Sequence, residues 1–180
     1  VFNVVPGFGP TAGQAIGMYF DFDGMVFTGS GEIGKLFLQY SGRSNMKRVW
    51  LECGGKTPFI VLKDCGDLTK AAQTAAGSMF FNQGEVCVAP SRLIVEESIR
   101  AEFMVELHKA ARQISAGDPL NPDTRMGAIV DEAQMNRVLS YVEIGQREGA
   151  EVTLGGNRAR LNTGGFYIEP NIFEGVRNDM

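Results

Sequence analysis

Short apolar runs alternate with helical patterns in the first part of the chain, and this alternation limits the fold more than any other feature. Residues 1–5, 25–28 and 48–53 are apolar runs of strand length, and patterns typical of helices lie between them at residues 12–18 and 31–42. Strands separated by helices usually pair in parallel, because the helix returns the chain to the end of the sheet at which the previous strand began. The sequence therefore predicts an α/β fold built on a parallel sheet.

The same alternation continues through the rest of the chain. Further strands are predicted at residues 58–62, 93–95 and 166–168, the last after a glycine-rich connection. A change of pattern after Cys53 divides the chain into a first domain, residues 1–53, and a second, residues 54–180. Two helices are expected to begin after a residue whose side chain can cap them, Thr11 and Ser98. Two further helices are expected to start at Asp67 and at Asp131.

Composition excludes several classes of function. With a net charge of −4 and no basic stripe, the chain is not expected to bind nucleic acid. Its apolar runs are too short to cross a bilayer and no leader pattern opens it, so we expect a cytoplasmic protein with a small-molecule partner. A single histidine, His108, and three cysteines without CxxC spacing predict no metal site. Two of the cysteines, Cys53 and Cys65, are interpreted as buried, unreactive residues.

A GxGxxG pattern stands between a predicted strand and a predicted helix. Backbone N–H groups at such a helix start, together with the helix dipole, suit a pyrophosphate. Glycines also accumulate at turns that bind nothing, so this motif alone leaves both interpretations open. An acidic residue about twenty positions further on would bind an adenosine ribose, and Glu52 lies near that distance. The residues of the motif are Gly29, Ser30, Gly31, Glu32, Ile33 and Gly34.

Two other segments carry reactive side chains. Glu52 ends a predicted strand beside Gly54 and Gly55, where a carboxylate could instead reach a substrate. Cys87 follows a predicted helix-to-loop junction among small and apolar residues, an environment that suits a nucleophilic thiol. Asn82 lies close to Cys87 and is interpreted as a structural residue of that junction.

Taken together and in this order, the motifs resemble those of the aldehyde dehydrogenase superfamily. The likeness extends from Pro6 to Pro170, and it implies that the chain is the middle of a much longer protein. The absence of an initial methionine and the abrupt end at Met180 favour the same interpretation. The likeness depends on Phe27-Thr28-Gly29-Ser30, Leu51-Glu52-Cys53-Gly54-Gly55-Lys56 and Phe81-Asn82-Gln83-Gly84-Glu85-Val86-Cys87.

The resemblance implies a fold, a cofactor and a mechanism. Residues 1–53 would be the C-terminal part of a Rossmann-type cofactor domain, and residues 54–180 the N-terminal part of an α/β catalytic domain. The cofactor would be NAD, or alternatively NADP, and the whole protein a homodimer or homotetramer. Cys87 would attack the aldehyde and Glu52 would activate water. Cofactor contacts would come from the glycine motif, from Gly9 and Gly13 on the adenosine side, from the Cys53 backbone at the nicotinamide and from Gln134 at a ribose.

Some residues depart from the common family pattern. Glu85 replaces the usual glutamine before the thiol, and this change, like the segment 47–53, resembles aminobutyraldehyde and gamma-glutamyl-aminobutyraldehyde dehydrogenases. An omega-amino-aldehyde substrate is therefore implied. Pro90 replaces a glycine and, with its fixed φ and missing N–H, should stiffen the loop after Cys87. The alternative to an aldehyde-oxidising enzyme is a dinucleotide-binding module of another oxidoreductase, in which Glu52 only binds a ribose.

Overall fold

The computed structural model describes residues 2–180 as two compact units, Val1–Gly55 and Lys56–Met180. Within residues 2–180, no helix combines the length and the apolar character that crossing a lipid bilayer requires. In the same residues, no three His, Cys, Asp or Glu side chains are grouped so that they could hold a metal ion.

The first unit contains a β–α–β element. Strand β1 (Gly24–Gly29) and strand β2 (Arg48–Cys53) pair in parallel, with Gly24 opposite Arg48 and Gly29 opposite Cys53. The connecting helix is the second of the unit, α2 (Gly31–Arg43), after the short helix α1 (Gln14–Met18). The predicted strands at residues 25–28 and 48–53 and the parallel pairing are thus confirmed.

Two predictions for the start of this unit are wrong. The strand predicted at residues 1–5 is absent at residues 2–5, where Phe2 is 89% exposed, because no segment among the described residues pairs with them. Val1, the remaining residue of that prediction, lies outside the described residues. Thr11 does not cap a helix: it lies inside a wide turn, Gly9–Gly13, and its hydroxyl donates to the Phe8 carbonyl at 3.2 Å. A hydroxyl used as a donor to the preceding backbone leaves the start of α1 uncapped.

A buried lysine joins the two helices of the first unit. Lys47 is only 5% exposed, and its Nζ donates to the Gly17 carbonyl and to Ser44 Oγ, each at 2.8 Å. Gly17 is packed closely, because a Cβ at that position would lie 2.7 Å from Cδ2 of Tyr40. The end of α1 is therefore fixed to the C-terminal end of α2.

The second unit begins with another β–α–β element. Strand β3 (Pro58–Val61) pairs in parallel with β4 (Arg92–Val95), and helix α3 (Leu68–Met79) connects them. The helix predicted from Asp67 is confirmed, and Asp67 is its N-cap, because its side chain accepts from the Lys70 amide at 2.9 Å. The remaining elements are α4 (Glu97–Ala111), α5 (Glu132–Arg147), the antiparallel pair β5 (Glu151–Leu154) and β8 (Ile172–Glu174), and the hairpin β6 (Arg158–Ala159) and β7 (Tyr167–Ile168).

The core of the second unit forms where α3 packs against α4. Ala72, Ala75 and Ala76 allow the two helices to approach closely, while Phe103 and Leu107 fill the contact and are fully buried. The other buried members of this core are Val61, Phe80, Ala111, Met126 and Ile172. A smaller cluster of Ile129, Met135 and Ile168 lies between α5 and the hairpin.

Two sequence interpretations fail in this unit. Ser98 does not cap α4, because the helix begins one residue earlier, at Glu97, and the Ser98 hydroxyl donates to Glu96 Oε1 at 3.0 Å. Cys65 is exposed rather than buried, since it lies in the turn between β3 and α3. In the first unit, Cys53 is likewise only half-buried.

Candidate active site

The glycine motif forms an open turn at the start of α2. Ser30 caps the helix by accepting from the Ile33 amide at 3.2 Å, and within residues 2–180 the amides of Gly31 and Glu32 have no hydrogen-bond partner. A Cβ at Gly31 would meet nothing within 4 Å. Free amides at the positive end of a thirteen-residue helix, with open space in front of them, fit a phosphate.

Gly34, in the same motif, serves helix packing rather than the open turn. It is buried, and a Cβ at its position would lie 3.3 Å from both Cys53 Sγ and Leu51 Cδ1. Its missing side chain lets α2 lie close to β2, which is the packing role of the third glycine in dinucleotide-binding turns. The sequence motif and its structural context therefore agree.

The end of β2 lies beside the glycine turn. The parallel register places Glu52 opposite Thr28 and Cys53 opposite Gly29. The Glu52 side chain is exposed, and no group within the described residues makes a hydrogen bond or an ion pair with it. The structure thus brings Glu52 and Cys53 together with the glycine motif and leaves the carboxylate free to contact a ligand.

Gly9 and Gly13 occupy the wide turn before α1. A Cβ at either position would meet nothing within 4 Å, so this turn is also open. Their expected contact with an adenosine group stays a prediction.

Cys87 lies in the second unit, in a loop that follows an unusual backbone turn. Three consecutive residues adopt left-handed conformations: Asn82 with φ 48° and ψ 48°, Gln83 with φ 58° and ψ 18°, and Gly84 with φ 75°. A left-handed backbone costs a non-glycine residue about 1–2 kcal/mol, and asparagine tolerates it better than most residues. The structure therefore places Asn82 at the helix-to-loop junction, in a conformation that asparagine tolerates.

The Cys87 thiol is half-buried, and its backbone amide has no acceptor within residues 2–180. The loop turns back after it, since the Ala89 amide donates to the Val86 carbonyl at 3.0 Å, and Ala89 and Pro90 are buried. A thiol beside a free amide on a fixed loop is an arrangement that can stabilise an oxyanion formed at the thiol.

Glu85 lies between the left-handed turn and the thiol. Burial raises the pKa of its carboxyl group above the ordinary value of 4.5, and the negative charge of Asp131 raises it further. Asp131, where a helix was predicted to start, is the N-cap of α5 and accepts from the Gln134 amide at 2.7 Å. The thiol loop therefore lies near the start of α5, within the same unit. This unit contains Cys87, Glu85 and Gln134.

Two important residues were not identified from the sequence. Gln83, inside the thiol motif, makes hydrogen bonds to the segment before α5, and Lys47 buries its charge in the first unit. The only sequence signal for Gln83 was its position in the motif. Lys47 gave none, because a lysine between a helix and a strand is usually exposed.

Each unit contains a parallel strand pair joined by a helix, which places the chain in the α/β class and agrees with the fold expected from the sequence. The full chain, residues 1–180, matches the sequence model described as the aldehyde dehydrogenase family. The chain belongs to this family.

Relatives and solved structures agree with this assignment. The chain is 46% identical over 180 residues to "Aldehyde dehydrogenase, cytosolic 1" of Mus musculus, covering 100% of this chain and 35% of that protein. It is similar to the crystal structure of the aldehyde dehydrogenase KauB from Pseudomonas aeruginosa, with a TM-score of 0.98, 53% identity, and coverage of 100% of this chain and 36% of that one.

Two further solved structures indicate a cofactor and a substrate of relatives. An indole-3-acetaldehyde dehydrogenase complexed with NAD+ matches with a TM-score of 0.96, 51% identity, and coverage of 99% of this chain and 36% of that one. A gamma-glutamyl-gamma-aminobutyraldehyde dehydrogenase from Burkholderia cenocepacia matches with a TM-score of 0.92, 52% identity, and coverage of 96% and 35%. The chain therefore spans about a third of the length of the proteins that it matches.

Proposed function

We propose that this chain is the middle part of an enzyme that oxidises an aldehyde to a carboxylic acid with NAD, or alternatively NADP, as the cofactor. Residues 1–53 then belong to the cofactor domain and residues 54–180 to the catalytic domain. The observation that carries the proposal is the fixed thiol loop, in which Cys87 lies half-buried beside its own unpaired amide. Family membership supports the same reaction class.

In the proposed reaction, the Cys87 thiolate attacks the aldehyde carbon and forms a tetrahedral thiohemiacetal. An aldehyde has no leaving group, so this covalent step creates a carbon from which a hydride can depart with its electron pair. The backbone amide of Cys87 stabilises the oxyanion, since no acceptor among the described residues makes a hydrogen bond with this amide. Loss of the hydride leaves a thioester on Cys87.

Glu52 completes the cycle as general base. Its exposed carboxylate takes a proton from water, and the resulting hydroxide attacks the thioester, releasing the carboxylic acid and the free Cys87 thiolate. The lack of any bonded partner for Glu52 in the described residues supports this role over a structural one.

The first unit supplies the proposed cofactor site. The amides of Gly31 and Glu32 and the cap residue Ser30 would hold the phosphates at the start of α2, with Gly29, Ile33 and Gly34 shaping the turn. The bound nicotinamide supplies a hydride acceptor. The open turn with Gly9 and Gly13 would contact the adenosine side, the Cys53 backbone the nicotinamide, and Gln134 a ribose.

For the substrate, we propose an omega-amino-aldehyde. Glu85 precedes Cys87 by two residues, and a carboxylate that faces the bound substrate would favour a cationic aldehyde over a neutral one of the same length. The similarity to a gamma-glutamyl-gamma-aminobutyraldehyde dehydrogenase supports this class. Comparing kcat/KM for an aminoaldehyde and its uncharged analogue tests it, and equal values would contradict it.

We also propose that the whole protein is a homodimer or homotetramer, as the family resemblance implies, and that it is cytoplasmic, a location that the name of the murine relative supports. Sedimentation of the full-length protein would measure the oligomeric state.

The central test is Cys87→Ser in the full-length protein. Aldehyde oxidation should be lost while NAD+ binding, measured by calorimetry, stays nearly unchanged, because the thiol forms the covalent bond and the first unit binds the phosphates. Full turnover by this variant would instead favour the dinucleotide-binding module without thiol chemistry, which the open glycine turn alone could also serve.

A second test addresses Glu52. Glu52→Gln should release a burst of NADH equal to the number of thiols and then stall, because the thioester forms but is not hydrolysed. Rapid-mixing absorbance measures the burst. Unaltered steady-state turnover would return Glu52 to the ribose-binding interpretation.

A further inference from the structure

The side chain of Gln83 bridges the thiol loop and a separate segment of the second unit. Its Nε2 donates to the Ala128 carbonyl at 2.9 Å, and its Oε1 accepts from the Gly127 amide at 3.4 Å. Both ends of one side-chain amide therefore contact residues 127–128. A Cβ at Gly127 would lie 3.7 Å from Gln83 Nε2, which is ordinary contact distance, so the two segments are already packed together.

The segment that Gln83 contacts is itself well fixed. Met126 is 5% exposed and belongs to the main core of the unit, and its carbonyl accepts from the Gly117 amide at 2.9 Å. Ile129 is 6% exposed, packs in the smaller cluster, and donates its amide to the Phe166 carbonyl at 2.7 Å. Residues 127–128 are thus held between two buried anchors.

The turn that Gln83 belongs to is strained. Gln83 has φ 58°, and its neighbour Asn82 has φ 48°, so two successive non-glycine residues adopt the left-handed conformation. Such strain persists only where surrounding contacts over-determine the backbone. The two-point contact with residues 127–128 provides such a contact, because a relaxed backbone at Gln83 would point its side chain elsewhere.

We propose that Gln83 is a positioning residue: by fixing the left-handed turn to residues 127–128, it orients the Cys87 thiol for the step in which the hydride departs. The inference rests on the proposed function. The same segment leads into Asp131, the cap of α5, so the bridge also sets the distance between the thiol and the start of the helix that carries Gln134.

Two substitutions in the full-length protein separate the bridge from the strain. Gln83→Met keeps the length of the side chain and removes both hydrogen bonds. Gln83→Gly removes the hydrogen bonds and also the cost of the left-handed backbone, so this variant should still fold if the methionine variant does not. Gln73→Ala is the matched control, because Gln73 is an exposed glutamine in the middle of α3.

Both Gln83 variants should lower kcat per titrated thiol by about 10- to 100-fold, since a small misplacement of a reacting group has an effect of that size. KM for NAD+ should stay within about threefold of wild type, because ground-state binding is kept. Alkylation of Cys87 by iodoacetamide, a small reagent that needs no alignment, should be no slower than in wild type.

A kcat within about twofold of wild type for both variants would overturn the inference. So would a loss of folded protein with an unchanged kcat per thiol, which is the pattern of a merely structural role. Hydrogen exchange of residues 81–89 gives a readout independent of turnover: exchange should be about tenfold faster in Gln83→Met than in Gln73→Ala, and equal exchange overturns the inference. If wild type oxidises no aldehyde, the proposed function fails, and the exchange rates still decide whether Gln83 fixes the loop.

Discussion

Replacing Lys47 by methionine should loosen the first unit, because this lysine is the polar connection between α1 and α2. Its Nζ makes hydrogen bonds of 2.8 Å to the Gly17 carbonyl and to Ser44 Oγ, and the residue is only 5% exposed. A hydrogen bond from a charged donor contributes about 1.5–3 kcal/mol, and losing one partner of a buried pair leaves the other unsatisfied.

Methionine fills a similar volume, and its apolar side chain avoids the cost of burying an ammonium, which offsets part of the loss. The net destabilisation should be about 2–3 kcal/mol, which corresponds to about a 30- to 150-fold larger population of the open state. Hydrogen exchange of the α1 and α2 backbone amides in the full-length protein measures this opening directly.

Lys35→Met is the matched control, because Lys35 lies on the exposed face of α2. Exchange in α1 and α2 should change little in this variant. If Lys47→Met had no larger effect than Lys35→Met, the buried hydrogen bonds would contribute nothing measurable, and the reasoning would be refuted.

Two further predictions use the same units. Gly34→Ala should destabilise the protein, because a Cβ at this position would lie 3.3 Å from Cys53 Sγ. Gly42→Ala should stabilise it by up to about 1 kcal/mol, because a Cβ there would meet nothing within 4 Å and alanine is a better helix residue than glycine. The melting temperatures of the two variants test this, and equal shifts would contradict the packing argument. Burial raises the pKa of Glu85 in the folded protein above 4.5, the ordinary value that it has in the unfolded chain. Between the unfolded and the folded pKa, the folded state keeps a proton that the unfolded state has lost. The free energy of unfolding therefore falls as the pH rises through this range and stays lower above it. Glu85→Gln should remove this fall and raise the melting temperature at neutral pH but not at acidic pH; an unchanged pH dependence would show that Glu85 is fully solvated.

The sequence was sufficient where one local pattern decided the outcome. Strand β2 was predicted at its observed limits, and α3 and α5 begin directly after Asp67 and Asp131, where helices were expected to start. A short acidic side chain before a helical pattern favours the N-cap position. It was insufficient where two outcomes were locally similar. Thr11 and Ser98 carry the same kind of hydroxyl, yet both donate to a nearby oxygen instead of accepting from a helix amide.

The thiol loop shows why the geometry of a site is harder to predict than its chemistry. The reactivity of Cys87 was indicated by its immediate neighbours, but the left-handed turn at Asn82 and Gln83 opposes the local preference of both residues. In that conformation the Gln83 side chain donates to the carbonyl of Ala128, a residue distant in sequence. A sequence pattern reports local preference, and a strained turn is by definition a place where a distant contact outweighs it. The residues that orient a nucleophile are therefore expected among those whose side chains fix strained backbone near it, as Gln83 does beside Cys87.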